Sequence, residues 1–173
     1  MATIQKIIPN LWFNNNAEEA VDYYVSIFEN SKIGRMARYT DEGFEYHGKT
    51  AGTPMTIELE IEGQTFVALN GGDEFKFTEA VSFIVYCDTQ KEIDYYWNRL
   101  TPGGDPQAQM CGWLKYKYGV SWQIVSTVLP HLVTDADSTK SERVMKALMS
   151  MKKLDIEILE RAYHSEQKQT VVS

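Results

Sequence analysis

Val21-Asp22-Tyr23-Tyr24 is repeated as Ile93-Asp94-Tyr95-Tyr96, and this repeat decides the predicted fold. The offset is 72 residues, the difference between positions 93 and 21. The same offset aligns Leu11-Trp12-Phe13 with Phe83-Ile84-Val85. One repeat of this length in a 173-residue chain indicates two copies of a supersecondary unit, because a solenoid needs three or more. Two such copies side by side enclose a groove, which is where we look for function.

Hydrophobic patterning predicts the elements of the first copy. Strands are predicted over 4–13, 33–39, 55–61 and 65–70, and a helix is predicted over 17–28. Asn16 with Glu19 resembles a capping box at the start of this helix. The polar stretch Asp41–Pro54 contains three glycines, which makes it a candidate lid.

The second copy has the same predicted order. Residues 81–87 are apolar almost throughout and predict a buried strand. Thr89 and Glu92 form a capping box, which begins a helix, and Thr101-Pro102-Gly103-Gly104 ends it. Three short strands are then predicted near 105–110, 113–118 and 121–125. Each copy therefore reads βαβββ.

The C-terminal part predicts two helices instead of a third copy. Thr139 with Glu142 caps the first helix, and Asp155 begins the second. The apolar stripe of this second helix requires cover from the domain or from a second subunit. We predict an α+β fold of two paired modules, 1–72 and 73–130, in one domain. A helical extension follows over 131–166, with a flexible tail over 167–173.

Composition excludes several classes of partner. The net charge of −7 and the pI of about 5.0 argue against binding to nucleic acid. No window approaches 18 apolar residues and no signal peptide is visible, so we expect a cytoplasmic protein without a membrane span. We therefore expect Cys87 and Cys111 to be free thiols. The aromatic share of 12% suits a pocket for a flat ligand, or simply a packed core.

Four stretches that together span nearly the whole chain resemble one known family. They are Asn10–Phe13 with Ala17–Ala20, Ala68–Gly72 with Phe75–Phe77, Cys111–Leu114 with Tyr118–Val125, and Arg143–Ala147 with Met151–Ile156. In these stretches the chain resembles the PhnB-like family of the vicinal oxygen chelate superfamily, often labelled 3-demethylubiquinone-9 3-methyltransferase. The superfamily includes glyoxalase I, extradiol dioxygenases and antibiotic-resistance proteins. The resemblance implies a glyoxalase-like cup, and the chain departs from the family pattern at Tyr116 and Ser126.

The resemblance also implies where a superfamily metal would bind. Its ligands come from four strands, and the repeat places the first-strand and fifth-strand positions on Asn10 and Ser82. The fourth-strand position falls on Ala68 or Asn70, and the eighth-strand position falls on Gln123. A divalent catalytic site needs about three to four imidazole or carboxylate ligands. These positions supply a hydroxyl, amides and a methyl group, so we expect no metal or other cofactor.

Two further features bear on cofactors. His47, His131 and His164 fall in a loop, a turn and the tail, and we expect them to be solvated. An S-adenosylmethionine site of the Rossmann type needs a glycine-rich turn between a strand and a helix. Gly71-Gly72 and Gly103-Gly104 lie next to the wrong elements. The sequence therefore gives the methyltransferase label no support.

Alternation along the strands predicts which side chains line the groove. On the first strand, Asn10 and Trp12 point to the same face. On the fifth strand, Ser82, Ile84 and Tyr86 share a face. On the last strand, Ser121 and Gln123 share a face. In the binding interpretation, amide and hydroxyl groups hydrogen-bond a ligand while aromatic rings stack on it. Alternatively, the polar groups satisfy one another or water across a filled core. The predicted ligand-binding residues are Asn10, Trp12, Phe66, Asn70, Ser82, Tyr86 and Gln123.

Three kinds of function stay open at this point. We predict metal-independent binding of a small aromatic or apolar molecule by a homodimer. The alternative is an enzyme, either a metal-dependent isomerase, lyase or dioxygenase with unusual ligands or the labelled methyltransferase. A third interpretation is an interaction domain whose groove is filled by its own side chains. Cys111 is expected to be a small buried residue, and Glu58 and Glu60 are expected to be solvated surface residues.

Overall fold

A computed structural model describes residues 5–165 of the chain. The chain forms two compact units, Met1–Phe77 and Thr78–Ser173, and each unit contains one β-sheet with helices packed against it. The α+β class predicted from the sequence is confirmed. The tail predicted over 167–173 lies outside the described residues.

The first unit follows the predicted βαβββ order. Its elements are β1 (Asn10–Phe13), α1 (Ala17–Ile27), β2 (Ser31–Arg38), α2 (Phe44–His47), β3 (Pro54–Ile61) and β4 (Gln64–Asn70). The sheet order is β1-β4-β3-β2, with β1 parallel to β4 and the other pairs antiparallel. The short helix α2 lies inside the stretch 41–54 that the sequence predicted as a loop.

Helix α1 covers one face of this sheet. Its buried residues are spaced as an amphipathic helix requires, at Ala17, Ala20, Val21, Tyr24 and Ile27. The strands contribute every second side chain to the same core, because successive residues of a strand point to opposite faces. These strand residues are Leu11, Phe13, Ile57, Leu59, Ile61, Phe66 and Ala68.

A buried amide joins the sheet to the start of α1. Asn70 is 2% exposed, and its Oδ1 accepts a hydrogen bond from the Ala17 N–H at 2.9 Å. Its Nδ2 donates to the Pro54 carbonyl oxygen at 3.0 Å. Asn16, the predicted N-cap, makes no side-chain hydrogen bond to the helix. The cap therefore comes from the last residue of β4, which local sequence patterns do not reveal.

The second unit contains a smaller sheet and four helices among its described residues. Its elements are β5 (Ser82–Cys87), α3 (Gln90–Leu100), β6 (Trp113–Lys115), β7 (Ser121–Ser126), α4 (Leu129–Val133), α5 (Ser138–Leu148) and α6 (Ile156–His164). The sheet order is β5-β7-β6, with β5 parallel to β7. The predicted capping box of α3 is confirmed, since Thr89 Oγ1 accepts from the Glu92 N–H at 3.2 Å.

One predicted strand of the second unit does not form. The segment near 105–110 contains a 3-10 turn, Pro106–Ala108, instead of a strand. Asp105 favours this turn because its side chain accepts a hydrogen bond from the Gln107 N–H at 2.8 Å. Pro106 also lacks the N–H that a sheet ladder needs. The sheet of the second unit consequently has three strands.

A left-handed turn joins the C-terminal helices to the second sheet. Cys111 and Gly112 have φ values of 53° and 86°. The Cys111 N–H donates to the Met151 carbonyl oxygen at 2.8 Å, and the Gly112 N–H donates to that of Lys152 at 2.7 Å. The Gly112 carbonyl oxygen accepts from the Ile124 N–H of β7 at 2.8 Å. A Cβ on Gly112 would lie 2.7 Å from the Ile124 carbonyl oxygen, so only glycine fits here.

Side chains strengthen the same connection. Gln90 at the start of α3 donates to the Leu154 carbonyl oxygen at 3.0 Å and accepts from the Ile156 N–H at 3.0 Å. Lys153 forms an ion pair with Asp94 at 2.5 Å. The sequence left open whether the tail helices cover the domain or a second subunit. They pack within the second unit, where Leu154 is fully buried.

Replacing Asn70 by alanine tests the buried cap. Asn70→Ala leaves the Ala17 N–H and the Pro54 carbonyl oxygen without their buried partner. We expect the free energy of unfolding to fall by about 2–3 kcal/mol, measured by urea denaturation followed by circular dichroism. Asn10→Ala is the control, because Asn10 is exposed and its loss should change stability by less than about 0.5 kcal/mol. Equal losses of stability in the two variants would contradict the role of Asn70 as a buried cap.

Candidate functional site

The second sheet presents one face away from α3, which we call the front face. Ser82 is paired with Ser121, and Gln123 is paired with both Ile84 and Trp113. Directly paired residues of neighbouring strands point to the same face. The register therefore confirms that Ser82, Ile84 and Tyr86 share a face with Ser121 and Gln123. The complete front face comprises Ser82, Ile84, Tyr86, Trp113, Lys115, Ser121, Gln123 and Val125.

Strand β5 is more exposed than its apolar sequence predicted. Ile84 is 47% exposed and Tyr86 is 56% exposed. The prediction of a buried strand was wrong because β5 is an edge strand of its sheet and α3 packs against its other side. An isoleucine and a tyrosine exposed side by side on one strand form an apolar strip, a surface typical of binding sites.

Polar groups lie beside this strip. Gln123 Nε2 donates to Ser82 Oγ at 2.8 Å, so this pair is satisfied in the way that the filled-core interpretation described. Gln123 Oε1 accepts no hydrogen bond from the described residues. Ser121 is 1% exposed, and its hydroxyl has no hydrogen-bond partner among them. A buried hydroxyl without a partner costs about 1–3 kcal/mol, so this end of the front face favours a water molecule or a ligand that supplies one.

The first unit places two of its predicted ligand-binding residues together. Asn10 and Trp12 lie opposite Val67 and Leu69 of β4, on the sheet face that α1 leaves uncovered. Asn10 is exposed, whereas Trp12 is partly buried. The indole N–H of Trp12 donates to the Gly72 carbonyl oxygen at 2.9 Å. The ring of Trp12 also packs edge-to-face against Phe75, with the ring centroids 4.9 Å apart, and lies close against Gly71. Both the ring and its donor are therefore used within the unit.

Phe66 and Asn70 do not lie with them. Both residues point to the face covered by α1, where Phe66 is 5% exposed and Asn70 is 2% exposed. The reason is the register, which pairs Asn10 with Val67 and so places the even-numbered residues of β1 and β4 on opposite faces. Phe66 is a core residue in this structure, and both ends of the Asn70 amide are hydrogen-bonded.

The donor set does not fit the divalent metal that the superfamily resemblance implies. Ala68 and Asn70 lie on the helix-covered face, and Ser82 and Gln123 are hydrogen-bonded to each other. Within residues 5–165, no group of three or more His, Cys, Asp and Glu side chains could hold a metal ion. Of the histidines, His131 and His164 are exposed. His47 is half-buried, and its Nδ1 accepts from the Lys49 N–H at 2.9 Å.

The connections from strand to helix do not fit the Rossmann type of S-adenosylmethionine site. In the first unit, residues 14–16 connect β1 to α1, and in the second unit residues 88–89 connect β5 to α3. Neither connection contains a glycine. A glycine-rich turn is what lets this class of site bring the backbone close to its cofactor.

Two carboxylates on β3 of the first sheet form ion pairs with basic side chains. Arg35 forms an ion pair with Glu58 at 2.6 Å, and Lys32 forms one with Glu60 at 3.2 Å. The hydrogen bond from Arg35 lowers the pKa of Glu58 below its ordinary value. A carboxylate with a lowered pKa is ionised at neutral pH and does not serve as a general acid. The pair is therefore a surface feature.

A cavity of about 410 Å³ lies beside β6 in the second unit. Trp113 belongs both to its wall and to the front face. None of the seven ligand-binding residues predicted from the sequence lines it, although Cys111 and Trp113 belong to a stretch that resembles the family. Cys111 is half-buried with a positive φ, contrary to the expectation of an ordinary buried residue. The lining residues are Glu79, Gln107, Ala108, Met110, Cys111, Trp113 and Met149.

Comparison with known proteins identifies the family. The chain matches the model of the 3-demethylubiquinone-9 3-methyltransferase family over residues 5–125. It belongs to this PhnB-like family. The match ends at Val125, before α4, α5 and α6. The helical extension that supplies Met149 to the cavity therefore lies beyond the matched region.

One solved structure supports this assignment, and a second shows a similar fold. The PhnB protein from Bacillus cereus, described as a candidate 3-demethylubiquinone-9 3-methyltransferase, is 34% identical, with a TM-score of 0.60. That alignment covers 71% of this chain and 100% of the Bacillus chain. A protein from Pseudomonas aeruginosa is 20% identical over 72% of this chain and 98% of its own, with a TM-score of 0.53.

A glyoxalase/bleomycin resistance protein/dioxygenase from Alicyclobacillus acidocaldarius is a more distant neighbour. It is 15% identical over 70% of this chain and 91% of its own, with a TM-score of 0.39. The resemblance to the PhnB-like family found in the sequence is confirmed by the family model and the Bacillus structure. No curated protein matches the chain. In the part of the chain that the structure describes, no helix is long and apolar enough to span a membrane.

The two free cysteines should differ in reactivity. Burial raises the pKa of Cys87 to about 12, and the charges of Glu92 and Asp88 act in the same direction. At pH 8 only about one Cys87 thiol in 10,000 is then ionised. We expect one thiol, that of Cys111, to react with Ellman's reagent in the native protein, and two after unfolding. The Cys111→Ser variant should not be labelled while it is folded. Fast labelling of Cys87 in the folded variant would contradict the prediction that Cys111 is the reactive thiol.

Proposed function

We propose that this PhnB-like protein binds a small aromatic or apolar molecule on the front face of the second sheet, without a metal ion. The observation that carries the proposal is the exposed strip of Ile84 and Tyr86 beside the polar groups of Ser121 and Gln123. Sites for small molecules typically combine a largely apolar surface with a few oriented polar groups.

The front face suggests how such a ligand is held. A flat ring lying along β5 covers the side chains of Ile84 and Tyr86 together. A polar substituent at its end can donate to Gln123 Oε1, with Ser82 orienting the Gln123 amide and the buried Ser121 hydroxyl lying nearby on the same face. The assignment of Asn10 and Trp12 of the first unit to ligand binding stays a prediction from the sequence. Phe66 and Asn70 do not belong to the proposed site.

The proposal includes a homodimer. Its support is β2, an edge strand of the first sheet whose residues are nearly all exposed. Ile33 and Met36 on this strand are 44% and 39% exposed. An edge strand with exposed apolar side chains is a surface that proteins commonly cover by pairing with another chain.

A fluorescent aromatic probe tests the site. We expect 8-anilinonaphthalene-1-sulfonate to bind the wild-type protein, with a Kd that EDTA leaves unchanged. Tyr86→Ala should weaken binding by about tenfold, because a stacked aromatic contact with its buried area contributes about 1.4 kcal/mol or more. Ile84→Ala should weaken binding in the same direction. Fluorescence titration gives each Kd.

The matched control is Ile158→Ala. Ile158 lies on α6 and is 40% exposed, close to the 47% of Ile84, but it is not part of the front face. Its replacement should leave the Kd of the probe unchanged. Equal effects of the Ile84 and Ile158 variants would show that the probe binds apolar surface in general, and the proposal would be wrong.

A further inference from the structure

We propose that the cavity beside β6 binds a monovalent soft metal ion, Cu(I), through the sulfur atoms of Met110, Cys111 and Met149. These three side chains line one cavity of about 410 Å³ within the second unit. Soft thiolate and thioether ligands favour Cu(I), Zn²⁺ and iron–sulfur clusters, whereas Mg²⁺ and Ca²⁺ prefer oxygen. The inference does not depend on the function proposed for the front face.

Two of the sulfur atoms already have the spacing of a chelating pair. Cys111 Sγ lies 3.8 Å from Met149 Sδ. Metal–sulfur bonds are about 2.3 Å long, so two sulfur ligands at a tetrahedral or trigonal angle are about 3.8 to 4.0 Å apart. An ion can therefore bind this pair without a large movement of either side chain.

The backbone holds the pair in place. The N–H groups of Cys111 and Gly112 donate to the carbonyl oxygens of Met151 and Lys152 at 2.8 and 2.7 Å. Cys111 Sγ also lies 3.5 Å from the carbonyl oxygen of Leu148, the residue before Met149. The segments that carry the two sulfur atoms are thus fixed to each other before an ion arrives. Such preorganisation lowers the entropic cost of binding.

Met110 supplies the third sulfur ligand. Its side chain lines the same cavity and is 56% exposed, while Met149 is 60% exposed. Two exposed thioethers beside a thiol form a soft donor set that is accessible from solvent. Met145, one turn earlier on α5, is 41% exposed but does not line the cavity, and it therefore offers a matched comparison.

Charge balance favours a monovalent ion. One Cys111 thiolate neutralises one Cu(I), because the two thioethers carry no charge. A divalent ion would leave a net positive charge in a mostly apolar cavity, which is costly. The carboxylate of Glu79 also lines the cavity, but it is paired with Lys115 at 2.8 Å. On binding, the Cys111 thiol proton leaves to solvent and the sulfur–metal bond takes its place.

Competition for Cu(I) tests the proposal on the full-length, reduced protein under anaerobic conditions. The protein is titrated into the coloured Cu(I) complex of bathocuproine disulfonate, and the loss of colour reports transfer of the ion. We expect one equivalent to bind the wild type. Cys111→Ser should weaken binding by about a hundredfold or more, and Met149→Leu and Met110→Leu by about tenfold each. Met145→Leu should bind as the wild type does.

Each other outcome overturns the proposal. If Met149→Leu and Met110→Leu match the wild type while Cys111→Ser loses binding, the thiol captures the ion without a built site. If Cys111→Ser retains wild-type affinity, the ion binds elsewhere, since this variant still contains Cys87. Thermal unfolding by circular dichroism shows that each variant is folded. If Cys111→Ser does not fold, the test rests on the Cu(I) affinities of Met110→Leu and Met149→Leu. Both must be weaker than that of Met145→Leu for the proposal to stand.

Discussion

The left-handed turn at Cys111 and Gly112 is the constraint on which the second unit depends. Three backbone hydrogen bonds meet there, two reaching the segment 151–152 and one reaching Ile124 in β7. Each contributes about 0.5–1.5 kcal/mol. The bond from Ile124 requires a close backbone approach that a Cβ on Gly112 would prevent. The turn thereby fixes the C-terminal helices onto the sheet and brings the Cys111 thiol to Met149.

This arrangement gives the second unit two chemically distinct surfaces that share Trp113. The front face combines an apolar strip on β5 with hydroxyl and amide groups, which suits a flat organic molecule. The cavity beside β6 presents sulfur atoms, which suit a soft cation. The front face lies within the region that matches the PhnB-like family, whereas Met149 comes from the helical extension beyond it.

The sequence predicted what depends on local periodicity. The 72-residue repeat identified both strand–helix units, and alternation along β5 placed Ser82, Ile84 and Tyr86 on one face, as the register confirms. Prediction from the sequence failed where the structure depends on the pairing of strands or on contacts between distant segments. The parallel pairing of β1 with β4 decides the face of Phe66, and Asn70 replaces Asn16 as the helix cap from 53 residues away. The cavity brings together Cys111 and Met149, which are 38 positions apart. Backbone hydrogen bonds hold their segments together, and such bonds leave no pattern in the amino-acid sequence.

Native-state hydrogen exchange, followed by NMR, tests most directly whether this turn makes the sheet and the C-terminal helices one cooperative unit. The amide protons of Cys111, Gly112 and Ile124 all donate in the bonds at issue. Our account predicts that the three exchange through the same opening, with the same free energy and the same dependence on denaturant. A lower opening free energy for Cys111 and Gly112 than for Ile124 would show that the helices detach while the sheet stays folded, and would contradict it.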